Sequence, residues 1–250
     1  MTRLTFTCSV ALAMFMASVP AFSDVIFTDT TFNLADYTVT TPFKSDSAST
    51  VSDAQCASCG NPGQALQILM SLPNSGDEIA LGFINNTFSY NPLTQGAIST
   101  ISASADKNIT LNQSGTGLGN TFRPLIEQDG NFYLAAIPGP AVTGSTTGFN
   151  TLSQAGLTAS SFQRFDFSTG AFVAGSPNFS GDAMLFGLGQ VTTLGGEQNV
   201  NFEADYDNLK LDVVSTPEPS TLKLLAGLLA LLAGVGLARR ARPITISPAD

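Results

Sequence analysis

Between Asp24 and Ser215 apolar side chains recur with a period of two, and nothing longer than one turn keeps a period of 3.6. That restricts the body of the chain to strands. Short alternating runs are separated by Gly, Asn, Asp, Ser and Pro turn signals, the pattern of a sandwich or barrel. The clearest unit is 125–136, LIEQDGNFYLAA, where two alternating runs flank Asp129 and Gly130. That dipeptide accepts the positive φ angles of a type I′ hairpin. Further strands are expected at 25–28, 37–41, 65–72, 78–84, 97–105, 163–167, 183–187 and 199–214, with a single helical turn at 157–162. A body of about 190 residues is long enough to bury a sizeable core.

The last run contains a conflict. Phe202, Ala204 and Tyr206 put the apolar side on even positions, whereas Leu209, Leu211 and Val213 put it on odd ones. A strand cannot change parity without an irregularity, so a bulge or turn is expected at Asp207 and Asn208. Just before it, Glu203, Asp205 and Asp207 are expected to project from one face.

Both ends are apolar. At the start, Arg3 is followed by an apolar segment over 10–17 and by Ala21, Phe22 and Ser23, the layout of a signal peptide cleaved after Ser23. The segment is broken by Ser18 and Pro20 and is too short to span a bilayer. At the other end, 224–238 is uncharged, all Leu, Ala, Gly or Val, and as a helix would cover roughly 22 Å. Arg239, Arg240 and Arg242 follow it and form a cytoplasmic stop by the positive-inside rule. Pro217 and Pro219 hold the preceding segment extended just outside the membrane.

Pro217, Glu218, Pro219 and Ser220, a short apolar helix and an arginine cluster, in that order at the C-terminus, resemble the PEP-CTERM sorting signal of Gram-negative bacteria. The resemblance implies recognition by the membrane enzyme exosortase and removal of the helix. It also implies delivery from the inner membrane to the cell surface or an exopolysaccharide-rich extracellular matrix. A plain C-terminal anchor is the alternative. The organisation expected is therefore a signal peptide over 1–23, a β-domain over 24–214, a sorting signal over 215–242 and a cytoplasmic tail over 243–250.

Export leaves Cys56 and Cys59 as the mature chain's two thiols, since Cys8 departs with the signal peptide. In an oxidising compartment such a pair forms a disulfide. The alternative, a thioredoxin-type redox motif, needs a helix N-terminus behind the first cysteine. Here Gly60, Asn61, Pro62 and Gly63 make a turn instead. The body carries five Lys or Arg against seventeen Asp or Glu, a net charge of −12. Such a surface excludes nucleic acid as a partner and suits solubility or contact with divalent cations.

The chain has no histidine, which removes Ser-His-Asp and Cys-His catalysis and most transition-metal sites. The carboxylate pairs Glu203 with Asp205 and Glu127 with Asp129 fall loosely within the spacing of a glycosidase. Pairs like these are common on any solvated strand. For Glu203, Asp205, Asp207 and Asn208 two readings stand: a calcium site, since calcium takes hard oxygen ligands, or an acidic turn with no ion. No other cofactor is expected. Sugar platforms are poorly provided for, with no Trp and four Tyr, and Phe165 and Phe167 sit where core packing explains them.

The order of short words through the body resembles the jelly rolls of the concanavalin and laminin-G kind. These words run from Asp29 to Phe32, through Gly60 to Gly63, to Tyr206 to Leu209. The resemblance implies glycan or matrix contact and, in some members, a calcium ion where the first and last strands meet. The expected fold is all-β, a single antiparallel two-sheet jelly-roll sandwich between a signal helix and a short transmembrane helix. The leading functional expectation is a non-enzymatic exported surface or matrix protein. A carbohydrate-binding module comes next, marked by exposed Tyr and Asn on a concave face. Third is a glycosidase of the same fold, which requires two carboxylates facing one another in a cleft.

Overall fold

Apolar residues that alternate with polar ones can bury one face of a strand only by pairing strands and stacking sheets, and this chain does both. The computed structural model describes residues 24–112, 118–136, 141–142, 144–196 and 198–216. The signal segment, the sorting motif, the apolar helix and the arginine cluster expected from the sequence lie outside these residues. Ser23–Thr216 forms one unit. Among the described residues no helix is long and apolar enough to cross a membrane.

In chain order the strands are β1 (Val25–Asp29), β2 (Tyr37–Val39), β3 (Phe43–Lys44), β4 (Thr50–Gly60), β5 (Gly63–Leu72), β6 (Glu78–Tyr90), β7 (Ile98–Leu111) and β8 (Leu118–Gln128). They continue with β9 (Asn131–Ala135), β10 (Ala141–Val142), β11 (Asn150–Leu157), β12 (Phe162–Asp166), β13 (Ala171–Val173), β14 (Met184–Leu194) and β15 (Val200–Ser215). One sheet has the order β11-β7-β15-β5-β4, with β1 also on β15; the other has the order β13-β12-β9-β8-β14-β6-β2, with β10 on β8 and β3 on β6. Every pairing is antiparallel. From β5 to β8, and again from β14 to β15, successive long strands change sheet. The expected two-sheet sandwich is therefore present.

The conflict in the last run is resolved where the sequence placed it. The β15–β7 register shifts between Asp207 and Lys210, and Asn208 sits at φ +50°. Phe202, Ala204 and Tyr206 are buried on one side of that shift, and Leu209, Leu211 and Val213 on the other. The bulge also divides the opposite flank of β15: Val200 to Tyr206 pair with β5, and Leu209 to Val213 pair with β1.

Between β8 and β9, Asp129 (φ 54°) and Gly130 (φ 72°) make the expected left-handed turn. Gln128 lies opposite Asn131 across it. The helical turn expected at 157–162 is a 3-10 turn, Ala159–Ser161. Inward side chains of both sheets form the main core, in which Phe27 packs on Phe88 at 5.2 Å and on Phe186 at 5.7 Å. Each fully buried Leu, Ile or Phe of this kind contributes about 1.5–3 kcal/mol.

Candidate functional site

Phe165 and Phe167 are buried, as expected, but not in the core between the sheets. They belong to a second apolar cluster with Ala80, Ile84, Leu125 and Leu134. These residues come from alternate positions of β6, β8 and β9, so the cluster covers the outer face of the β14 sheet. Two glycines let it lie low. A Cβ on Gly82 would stand 2.6 Å from Leu125 and 3.0 Å from Phe167, and one on Gly189 would stand 2.3 Å from Leu134. The rings meet edge to face, Phe165 with Phe167 at 4.8 Å, Phe165 with Phe172 at 5.0 Å and Phe132 with Phe167 at 5.6 Å. Phe172 in turn lies 5.2 Å from the Arg123 guanidinium, which donates to the carbonyls of Ala135 and Ala136.

Above these rings runs a groove in two parts. One part, about 710 Å³, lies between Thr38 to Thr41, the β8–β9 turn and β12, with Phe132, Phe165 and Phe167 on its wall. The other, about 960 Å³, continues past Lys44, Asp46, Asn74 and Asp77; both parts share Thr41, Phe167 and Ser168. The polar rim is built by two strands and a turn. Arg164 on β12 is exposed, and its guanidinium has no hydrogen-bond or ionic partner among the described residues. Two positions on, Asp166 accepts from the hydroxyl and backbone N–H of Ser168 at 2.6 and 2.8 Å. Those bonds hold its carboxyl below the usual range, so it stays an anion. Asn131 lines the same part of the groove, and its side-chain amide donates to the Asp129 carbonyl at 3.1 Å. The arrangement offers a fork of N–H donors, a fixed carboxylate acceptor and aromatic edges along an open groove, which suits a polyhydroxylated ligand.

The acidic residues singled out in the last strand lie on the other sheet and fall into two groups. Glu203 and Asp205 share the side-chain amide of Gln67, which donates to Glu203 Oε1 at 2.8 Å and to Asp205 Oδ1 at 3.5 Å. Burial, together with the neighbouring Glu203 charge, pushes the Asp205 carboxyl up to about 6. Asp207 and Asn208 belong instead to the bulge. There Asp207 Oδ2 accepts from the Asn61 backbone N–H, and Asn208 Nδ2 donates to Asp106 Oδ2 at 2.8 Å and to the Asn61 carbonyl at 3.0 Å. Among the described residues no group of three or more His, Cys, Asp or Glu is placed to hold a metal ion.

Glu203 and Asp205 stand side by side on one strand rather than across a cleft. Glu127 accepts from the Gly130 N–H and so serves the turn. Cys56 and Cys59 are joined in a disulfide, and Gln67 Nε2 donates to Cys59 Sγ at 3.7 Å. The exposed tyrosines that would mark a sugar platform are missing: Tyr37, Tyr90 and Tyr206 are buried, and Tyr133 packs against the core. Sequence reasoning missed Arg164, Asp166, Asn131 and Asn61. The runs around the first three were legible, but the pairing of β12 with β9 that brings them together is not specified by those runs.

No protein-family model matches the sequence, and no curated protein matches it. Among solved structures the chain is similar to a family 11 carbohydrate-binding module from Clostridium thermocellum in complex with a β-1,3-1,4-mixed-linked tetrasaccharide. The identity is 11%, the TM-score is 0.44, and 80% of this chain and 99% of that one are covered. It is also similar to a mannan-recognising carbohydrate-binding module, with 14% identity, TM-score 0.37, and 77% and 99% coverage. A xylan-binding domain from Paenibacillus barcinonensis matches at 10% identity, TM-score 0.36, with 79% and 99% coverage. At these scores the likeness assigns no ligand.

Proposed function

We propose that this chain is a non-catalytic, exported glycan-binding protein that takes polysaccharide in the groove on the outer face of its β14 sheet. Its C-terminal segment addresses it to the cell surface or extracellular matrix. The observation that carries the reading is the groove, a long open depression with phenylalanine edges on its wall and the unpartnered Arg164 beside the ionised Asp166 on its rim. Guanidinium and carboxylate together read the donor and acceptor sides of neighbouring sugar hydroxyls, and an open groove fits a chain rather than a single sugar. Glycoside hydrolysis needs two carboxylates facing one another across the scissile bond; Glu203 and Asp205 stand side by side on one strand and share the Gln67 amide, which supports a binding rather than a hydrolytic role.

The test is binding of the full-length protein to mixed-linked glucan, mannan and xylan, the ligands named for the similar structures, with exopolysaccharide from the host alongside. Arg164→Ala and Asp166→Ala are each expected to weaken binding about ten-fold, the loss of one or two charge-assisted hydrogen bonds. Binding that survives both changes would move the site off this groove. Sorting is tested separately by the mass of the mature protein in the host. Removal of residues 1–23, together with loss of the chain beyond Pro217 to Ser220, is expected, whereas an intact C-terminus makes the segment a plain anchor.

A further inference from the structure

The β4–β5 connection carries a disulfide whose position says more than that the compartment is oxidising. Cys56 lies opposite Ala65, and the ladder resumes at Gly60 opposite Gly63, so Ala57, Ser58 and Cys59 bulge against the single residue Gln64. The disulfide closes this bulge, with its Cα atoms 5.5 Å apart. Two residues beyond Cys59, Asn61 docks onto the bulge of β15. Its backbone N–H donates to Asp207 Oδ2, its side chain donates to Asp106 Oδ2 at 3.4 Å, and its carbonyl accepts from Asn208 Nδ2 at 3.0 Å. Asp207 is fully buried, and the bonds drawn to its carboxylate come from the N–H groups of Asn61 and Asn208. An irregularity in an edge strand thus supplies the donor that a buried carboxylate in the central strand requires.

We propose that Cys56–Cys59 is a redox-operated latch that holds the β4–β5 turn on the β15 bulge. The size of the closed loop decides between a latch and a global staple. A cross-link stabilises in proportion to the logarithm of the loop it closes, and a four-residue loop is near the bottom of that scale. What it restrains is the neighbouring turn. A dithiol reductant would give two protons and two electrons to the bond, becoming a disulfide itself and leaving Cys56 and Cys59 as thiols. Cys59 Sγ then loses its fixed place beside Gln67, Asn61 leaves Asp207, and the buried carboxylate is opened to water. The oxidised latch keeps β4 short of its turn as a regular strand and keeps the two bulges in register.

Hydrogen exchange of the full-length protein, oxidised and after treatment with dithiothreitol, tests this. On reduction, exchange in 57–64 and 205–209 is expected to rise about ten-fold or more, while β6, β8 and β14 keep their protection. A Cys56→Ser, Cys59→Ser double variant is expected to show the same local rise without reductant. Asn208→Gly, which keeps the positive φ of that position but removes the Nδ2 donor to the Asn61 carbonyl, is expected to raise exchange in 57–64 with the disulfide still formed. Unchanged exchange in the turn after verified reduction overturns the latch. So does a uniform rise through both sheets, which would make the bond a staple of the whole fold.

Discussion

Lys107 is the residue least at home in this body. It sits on an inward position of β7, fully buried, and among the described residues its Nζ has no hydrogen-bond partner, nor does the hydroxyl of the equally buried Tyr206. The nitrogen lies 4.6 Å from the centre of the Tyr206 ring. A charged amine would gain about 1–2 kcal/mol there, but dehydrating the charge costs several times that. Burial therefore lowers the amine well below its ordinary 10.5. The unfolded chain is protonated below 10.5, so folding releases a proton; this contribution to stability grows as pH rises towards 10.5 and shrinks as pH falls.

Lys107→Met should therefore raise stability at pH 7 by about 1–3 kcal/mol, the usual cost of an unsatisfied buried polar group. Thermal unfolding between pH 6 and 9 should lose much of its pH slope in the variant. An unchanged slope would mean that the amine reaches water. Asp205 acts with the opposite sense. Its carboxyl, pushed up to about 6, binds a proton more tightly in the fold than in the unfolded chain, whose value is near 3.8. Stability from this group is complete below 3.8 and is lost as pH rises through 6. Asp205→Asn should abolish that loss and stabilise the protein at pH 7.5 by at most about 2 kcal/mol, after allowance for screening. Unfolding midpoints at pH 5 and 7.5 decide it.

Strands buried on one face are the elements that could be read in advance. β15 is the best case, because the parity of its apolar residues located Asp207 and Asn208 before any contact was known. The β8–β9 hairpin followed from Asp129 and Gly130. β4 and β11 escaped notice for a physical reason. They are the two edges of the β15 sheet, and TVSDAQCASCG shows no apolar alternation because seven of the eleven residues of β4 are exposed and none is buried. β14 appeared to end at Gly187 because Gly187 and Gly189 interrupt its outer-face pattern.

Gly189 and Gly82 are also why the groove was illegible. The signal there is an absence of side chain, read only once Leu125, Leu134 and Phe167 are seen lying over the gap. Gly82→Ala should push a Cβ into Leu125 and Phe167. The expected cost is about 1–3 kcal/mol by overpacking, with weakened glycan binding because the Phe167 wall moves. Denaturant unfolding and a binding isotherm read the two effects separately. A variant as stable as the parent would show that the cluster yields freely.

At the scale of the molecule, a sandwich must deal with the open edges of its sheets. β2, β3 and β13 are only two or three residues long, and β11 is broken by a register shift beside Gly156, at φ 67°. That leaves β4, eleven residues long, as the one long edge among the described strands. An unguarded edge of that length is a template for a second copy. Two guards are present. The disulfide bulge ends regular pairing at Cys56, and Asp53 lies opposite the fully buried Ile68. Its carboxylate is therefore on the side of the strand that faces the core. A strand added to β4 would cover that charge and strip its water.

The body's net charge of −12 adds repulsion between copies, but at physiological salt this decays over about 8 Å and falls away further in stronger salt. The local charge at Asp53 is the guard that salt leaves in place. Asp53→Val removes the charge and adds a β-branched residue suited to pairing. The variant is expected to self-associate with rising concentration, more in 0.5 M than in 0.05 M sodium chloride, while the parent keeps one mass by light scattering in both. A variant that stays monomeric at every concentration and salt would assign the guard to the Cys56–Cys59 bulge alone, and the same measurement on the reduced protein would then show it directly.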